Sequence, residues 1–174
     1  MSYAVTSGEA TPYANSLYFN SGNSLVSNGV SYATGSIPST LPTLLKPFTV
    51  DEIELGLDLR FFKSRLTFDL SYYEKTSHDE ILNAEYSRST GFATGVVASA
   101  SIQNKGLEIA VTGVPVKTDN FTWTTSLNTT NFKNKVLATN ADETPIVLGS
   151  NRGTLGNAVT AYVVGEAGPQ IRAY

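Results

Sequence analysis

Two small groups of residues have side chains that could take part in catalysis or bind a metal ion. His78 is the only histidine of the chain and stands beside Asp79 and Glu80, so it could join a metal or proton-transfer site if other ligands converged on it. Glu52 and Glu54 would share one face of a strand, a possible carboxylate pair of the glycosidase kind. The sequence supplies neither group with a further partner or a cleft. We therefore predict a solvated loop at His78, a charged strand face at the glutamates, and no catalytic residue, metal site or cofactor.

The composition narrows the class of protein. The 174 residues carry a net charge of −3 and only 16% are charged, which, without a basic cluster, argues against binding to nucleic acid. The chain has no cysteine, so disulfides and thiolate metal sites are excluded. Strand and turn formers such as Tyr, Thr, Val, Ser and Gly predominate, which predicts an all-β chain. No apolar run approaches the ~20 residues of a membrane-spanning helix, and the first residues do not resemble a secretory signal.

The stretch over residues 51–75 has the clearest pattern. Its two arms alternate strictly between apolar and polar residues around a short polar break at 63–65, which predicts a β-hairpin with two different faces. One face, which we call the apolar face, is wholly apolar and aromatic, and the other, the polar face, carries most of the charges. Either the apolar face packs on a protein core while the polar face meets water, or it meets lipid while the polar face lines a wet lumen.

A second hairpin is predicted over residues 104–136, with its turn near residues 117–120. Loops are expected over residues 1–49, after a strand end, over 76–103, and over 137–174, before the start of a further strand. Ile81-Leu82 and Val96-Val97 could extend the flanking strands into the middle loop. The expected fold is thus an antiparallel meander of about four to six long strands.

Loop lengths and aromatic residues favour the membrane alternative. All short turns would lie at one end of the strands and all long loops at the other, as in transmembrane barrels, and aromatics stand beside the short turns, where an interfacial girdle would lie. The candidate lipid-facing residues are Ile53, Leu55, Leu57, Leu59, Phe61, Leu66, Phe68, Leu70, Tyr72, Leu107, Ile109, Val111, Phe121, Trp123 and Leu127. The candidate lumen-facing residues are Glu52, Glu54, Asp58, Arg60, Asp69 and Glu108.

Several short motifs resemble a known family. The sequence ELGLDLRFF at residues 54–62, preceded by LKP at 45–47 and followed by DEIL at 79–82, is similar to a stretch of the SusC/RagA-like TonB-dependent outer-membrane transporters. The sequence IQNKGLE at 102–108 resembles their next strand entry, and FTW at 121–123 with NFKNKV at 131–136 resembles the return strand. The resemblance is closest between residues 45 and 136, and residues 164–166 extend it.

This resemblance implies one piece from the C-terminal half of a large transmembrane β-barrel in the outer membrane of a Gram-negative bacterium. It further implies that the remainder of the barrel and a plug domain complete the protein. The barrel would be surrounded by outer-membrane lipid, and the TonB complex would supply the energy for transport. A SusD-like lipoprotein partner and a glycan or peptide substrate are implied in the same way. No plug domain is recognisable in these residues, and Phe48 stands where the family has an acidic residue.

Three classes of function remain open at this point. The first is part of an active nutrient transporter, and the second is part of a passive or structural outer-membrane barrel or an adhesin. The third is a soluble β-sandwich that binds a ligand. Four strands are too few to supply two long sheets, so we expect the apolar face to meet lipid.

Overall fold

The computed structural model describes residues 1–14, 16–17, 20–21, 25–32, 35–36, 40–41, 43–153 and 156–173. Nearly all of the regular structure is β, with one short 3-10 turn at Arg88–Thr90. Among the residues described, no helix is long and apolar enough to cross a membrane. The strands are β1 (Ser2–Gly8), β2 (Asn20–Ser21), β3 (Leu25–Ser27), β4 (Val30–Tyr32), β5 (Gly35–Ser36), β6 (Thr40–Leu41), β7 (Phe48–Phe61), β8 (Leu66–Glu85), β9 (Thr94–Lys117), β10 (Thr122–Ala138), β11 (Ile146–Gly153), β12 (Gly156–Tyr162) and β13 (Gln170–Ala173).

The long strands form one antiparallel meander. Its order is β1-β7-β8-β9-β10, and the two-residue strand β6 pairs with β9 in parallel. A separate three-stranded sheet has the order β11-β12-β13. The all-β class, the antiparallel meander and both predicted hairpins are therefore confirmed, and the sheet is open at β1 and β10.

Two tight turns lie at the same end of the meander, which we call the turn end. The turn between β7 and β8 places Phe62, Lys63 and Ser64 at positive φ. The turn between β9 and β10 is closed by Thr118, whose backbone N–H donates to the carbonyl oxygen of Phe121 at 2.8 Å. The opposite end, the far end, holds all the longer connections.

The far end differs from the expectation for residues 76–103. A loop was predicted there, but β8 continues to Glu85 and β9 begins at Thr94, so only residues 86–93 connect them. The suggested extension through Ile81-Leu82 and Val96-Val97 is thus confirmed. The strands have 14 to 24 residues in the four principal cases, well beyond the 9–11 that a membrane crossing requires. Each of these strands is therefore longer than such a crossing would need.

Two other predicted loops also contain strands. Residues 137–174 were expected to form a loop and one strand start, whereas β11, β12 and β13 form a sheet there. In the described part of residues 1–49, short ladders join β2 to β5 and β3 to β4. In this region Tyr13 and Tyr32 are 81% and 52% exposed, and Tyr18 lies outside the described residues.

Among the residues described, the hydrophobic core lies at the far end, beyond the two predicted hairpins. Ala84, Ala100 and Ile146 are buried there. Leu82 and Tyr162, with other partly buried residues, pack around them. This core joins β11 and β12 to the extensions of β8 and β9, which explains why those strands continue so far.

The apolar face of the meander has no such cover. Leu55 and Leu57 on β7 are 45% and 51% exposed, Leu107 on β9 is 44% exposed, and Leu127 on β10 is 68% exposed. In a β-sandwich these side chains would lie against a second sheet about 10 Å away. No described part of the chain occupies that position, so the sandwich alternative has no support in this fold.

On the polar face, one glycine is matched to a tyrosine across the ladder. Gly106 pairs with Tyr73, and the ring lies so close to the glycine that a Cβ at residue 106 would clash with it. Gly56 lies on the same face, but a Cβ there would meet nothing within 4 Å. Gly106 therefore lets an aromatic ring cover the backbone between two strands.

We predict that Gly106→Ala destabilises the folded barrel by about 1–2 kcal/mol, because the Tyr73 ring must move away from the added methyl group. The free energy of unfolding in urea measures this loss. Gly56→Ala is the matched control and is expected to stay within about 0.5 kcal/mol of the parent. In a Tyr73→Ala background the Gly106→Ala penalty should disappear; an undiminished penalty would show that the ring contact is not its cause.

Candidate functional site

The strand register gathers the predicted apolar residues into continuous rows. Leu57 is paired with Leu70 and Leu70 with Ile109, while Phe68 is paired with Val111 and Val111 with Leu127. Directly paired residues of antiparallel strands lie on one face of the sheet. All the candidate lipid-facing residues in strands therefore share the apolar face, and Phe121 lies in the turn one residue before β10.

Aromatic residues bound this apolar region at both ends. Phe61 and Trp123 lie at the turn end, and Phe61 also packs edge-on against Phe68 with ring centroids 6.0 Å apart. Tyr3 and Tyr72 lie toward the far end of the same face, where Tyr3 is paired with Ile53. Tyr72 is one of the candidate lipid-facing residues, but its place in a second aromatic row depends on the pairing of β1 with β7, which the alternation of a single strand does not reveal.

The spacing between the two aromatic rows has the scale of a membrane. Ile53 and Phe61 are eight positions apart on β7, or about 26 Å along the strand at ~3.3 Å per residue. With the ~40° tilt of barrel strands, this corresponds to roughly 20 Å of height, close to the ~25 Å apolar band of outer-membrane barrels.

Beyond the tyrosines, toward the far end, the apolar face becomes charged. Glu74 lies 3.1 Å from the Lys105 ammonium and accepts a hydrogen bond of 2.8 Å from the Gln103 amide. Asp51 lies 3.3 Å from His78 Nε2 and accepts a hydrogen bond from the Tyr3 hydroxyl. The prediction that His78 lies in a loop is wrong, because β8 runs through it.

The opposite side of the sheet is polar over the same length. Glu52 and Lys75 form an ion pair at 3.9 Å, and the Ser71 hydroxyl donates to Glu54 at 3.2 Å. Asp58 and Arg60 form a closer ion pair at 2.8 Å with both side chains exposed, so it adds little stability in water. Glu52 and Glu54 thus each have their own partner on β8, on the charged strand face that the alternation predicts.

Three of the candidate lumen-facing residues surround a shallow depression of about 500 Å³. Its floor and rim are formed by Glu54, Asp69, Ser71, Glu108, Ile109, Ala110, Asn128, Thr129 and Thr130. Within the paired region, the polar face carries the carboxylates of Glu52, Glu54, Asp58, Asp69 and Glu108. The cations among its paired residues are Arg60, Lys75 and, at the turn end, Lys117, so carboxylates outnumber cations and this surface is acidic. Across the described ranges, no group of three or more His, Cys, Asp or Glu side chains is placed to hold a metal ion.

At the far end, a segment of the chain folds back against β10. The Val136 N–H donates to the Glu166 carbonyl oxygen at 2.8 Å, and the Gly165 N–H donates to the Val136 carbonyl oxygen at 2.9 Å. The Asn134 side chain accepts from the Gly168 N–H and donates to Asn104, both at 2.7 Å. This segment pairs with the free edge of β10 only at its end.

Tyr162 belongs to the same far-end region and packs against the buried cluster near Glu80. Burial raises the pKa of Tyr162, and the nearby carboxylate of Glu80 raises it further. Glu80 in turn accepts a hydrogen bond of 2.6 Å from Ser77. The phenol is therefore neutral at physiological pH and contributes to packing.

Comparison with curated proteins found relatives among bacterial receptors. TonB-dependent receptor P26 of Formosa agariphila is 31% identical over 122 residues, which are 70% of this chain and 12% of that receptor. TonB-dependent receptor P39 of the same organism is 38% identical over 82 residues, which are 47% of this chain and 8% of that receptor. The chain thus spans about an eighth or less of the length of these relatives.

Solved structures show the same fold. The RagAB peptide transporter matches with a TM-score of 0.69 and 16% identity, over 94% of this chain and 17% of that one. The RagAB peptide importer in its closed-closed state matches with a TM-score of 0.68 and 15% identity, over 93% of this chain and 17% of that one. The resemblance inferred from the motifs is confirmed in family and fold.

The family model described as TonB dependent receptor-like, beta-barrel matches residues 2–164. That range contains the complete meander, both aromatic rows and the acidic depression. The chain therefore belongs to the TonB-dependent receptor β-barrel family.

Proposed function

We propose that this chain forms several neighbouring strands in the wall of an outer-membrane TonB-dependent transporter. The observation that carries the proposal is the exposed apolar face, bounded by aromatic rows, directly opposite a charged face on the same strands. In this arrangement the apolar face meets lipid and the polar face borders the aqueous lumen, as in barrels of this kind.

The orientation follows from the connections. Short turns of outer-membrane barrels lie on the periplasmic side and longer loops outside the cell. The turns at 62–65 and 118–121 therefore face the periplasm, and the far end, with the β11-β12-β13 sheet, projects outward. There the protein core around Ile146 keeps the strand extensions stable in water, where no lipid covers their apolar residues.

The transported substrate we propose is a peptide, with an oligosaccharide as the second candidate. Two observations support this choice: the structures with the same fold are described as a peptide transporter and importer, and the polar face has more carboxylates than cations. A surface of one sign concentrates ligands of the opposite sign, so neutral and cationic peptides suit this wall. A SusD-like lipoprotein at the outer side and the TonB complex in the periplasm complete the proposed transporter.

A passive barrel or an adhesin is the main alternative within the same fold. The two are distinguished by energy dependence, because a TonB-dependent transporter stops when the proton-motive force is removed whereas a passive pore does not. We expect uptake of a labelled cationic peptide by cells carrying the intact receptor to cease after addition of an uncoupler. Uptake that continues unchanged would contradict active transport.

The acidic wall allows a prediction about cargo. Glu54→Gln combined with Glu108→Gln removes two carboxylates beside the depression and should lower uptake of a cationic peptide several-fold more than uptake of a neutral peptide of equal length. Lys117→Gln, a charge change in an exposed residue at the turn end, is the control. Equal effects on both peptides would contradict a role for these carboxylates in selecting cargo.

The lipid-facing proposal predicts the effect of a charge in mid-strand. Leu57→Arg should destabilise the intact barrel in a bilayer by about 2–4 kcal/mol, because the arginine would enter hydrocarbon near the midplane. Reversible unfolding from lipid vesicles in urea measures this quantity.

Gly56→Arg is the matched control, since it places the same side chain one position earlier on the polar face, where a Cβ meets nothing within 4 Å. Its cost should stay below about 1 kcal/mol. If both variants lose equal stability, or Leu57→Arg loses none, the apolar face does not contact lipid.

A further inference from the structure

Three lysines meet on the apolar face, just beyond its apolar region. Lys105 on β9 is paired directly with Lys133 on β10, and Gln103 is paired with Lys135, two positions further along. These residues share the face of Leu107 and Ile109, because they continue its two-residue alternation. We call Lys105, Lys133 and Lys135 the lysine group.

This arrangement is unfavourable without an anion. Side chains directly opposite on neighbouring strands have Cβ atoms about 5 Å apart, and like charges in such positions destabilise the sheet. The third ammonium group is within reach of the same space. A sheet that keeps three cations together needs negative charge nearby.

The sheet itself supplies too little negative charge to offset the three lysines. The acidic groups on this side are Glu74 and Asp51; Glu74 pairs with Lys105 at 3.1 Å, and Asp51 lies beside His78. Lys133 and Lys135 are exposed and form no ion pair with any residue that the structure describes. Two positive charges are left for a partner outside the chain.

The position of the lysine group identifies that partner. Lys105 precedes Leu107 by two residues on β9 and so lies about 7 Å nearer the far end, at the level where the apolar region ends. Lysine stems can lie along an apolar surface while their ammonium groups reach the headgroups of the lipid. At this end of the strands, the lipid is that of the outer leaflet.

We propose that the lysine group binds the phosphate of a phosphorylated lipid headgroup in the outer leaflet. This inference rests on the proposed function, because it requires the apolar face to lie against lipid. A phosphate carries up to two negative charges and accepts from several ammonium groups at once, so one headgroup offsets both unpaired lysines. A protein partner at this place would have to displace the lipid from the adjoining apolar rows.

The test uses the intact receptor in mixed micelles that contain fluorescent lipid A, either with its phosphates or after phosphatase treatment. The parent protein should retain the phosphorylated lipid preferentially. Lys133→Ala combined with Lys135→Ala should lower that retention roughly 25-fold, because each lysine contributes about fivefold. Lys133→Arg with Lys135→Arg should preserve it, since the charge remains.

The matched control is Lys63→Ala with Lys117→Ala, which removes the same charge at the turn end and should leave retention unchanged. Equal retention of the two lipids by the parent protein, or an unchanged preference in the Lys133/Lys135 alanine variant, would overturn the proposal. Displacement of the lipid by an equimolar amount of inorganic phosphate would also overturn it, because the site would then recognise free phosphate and not a lipid.

A separate readout distinguishes this proposal from the one on which it rests. A fluorophore attached at Leu57→Cys should be quenched by brominated lipid chains in every variant. Quenching without any preference for phosphorylated lipid would refute the lysine site alone. Absence of quenching would refute the lipid-facing orientation and the lysine site with it.

Discussion

The unbroken backbone ladder between β7 and β8 is the constraint on which the other features depend. Hydrocarbon offers no partner to a backbone N–H or carbonyl group, so strands that cross a membrane must pair all of these groups with one another. The ladder runs from the Phe61–Leu66 pair to the Thr49–His78 pair without a register shift. Because one slip would exchange the two faces, this continuity keeps the alternating apolar side chains from Ile53 to Phe61 on one side of the sheet.

Irregularities occur only at the margins of that region. The β9-β10 ladder shifts near Trp123 at the turn end and again after Val136 at the far end, and the β8-β9 ladder shifts between Ser77 and Glu80. Bulges leave backbone groups unpaired, which is tolerable where water is present. The apolar region therefore ends at the same levels by three criteria: the register shifts, the two aromatic rows and the first charged residues. Beyond the far-end limit, the apolar side chains pack in a protein core.

The sequence predicted the hairpins and both faces because strict alternation is a local property that survives without tertiary information. It did not predict the full length of β8 and β9, since the bulge at His78-Asp79 breaks the alternation where Asp79 adopts a φ of 54°. The sheet of β11, β12 and β13 was missed because its strands are short and gain stability from Ile146 and neighbours packed on another element. The meeting of Lys105 with Lys133 was also inaccessible, because it depends on register between strands. The comparison with known receptors supplied the scale of the whole barrel, which alternation alone cannot give.

The central claim is that one side of these strands lies in lipid and the other in water. This chain contributes no cysteine, so spin labels can be attached at single cysteines introduced along residues 53–61 of the intact receptor in a bilayer once any cysteine outside this chain has been replaced by serine. Collision rates with oxygen, which concentrates in lipid, and with a water-soluble nickel chelate should alternate out of phase with a period of two residues. Oxygen should dominate at 53, 55, 57, 59 and 61, and the nickel chelate at the positions between them. Equal exposure of both sets to the nickel chelate, or a profile without alternation, would contradict the account.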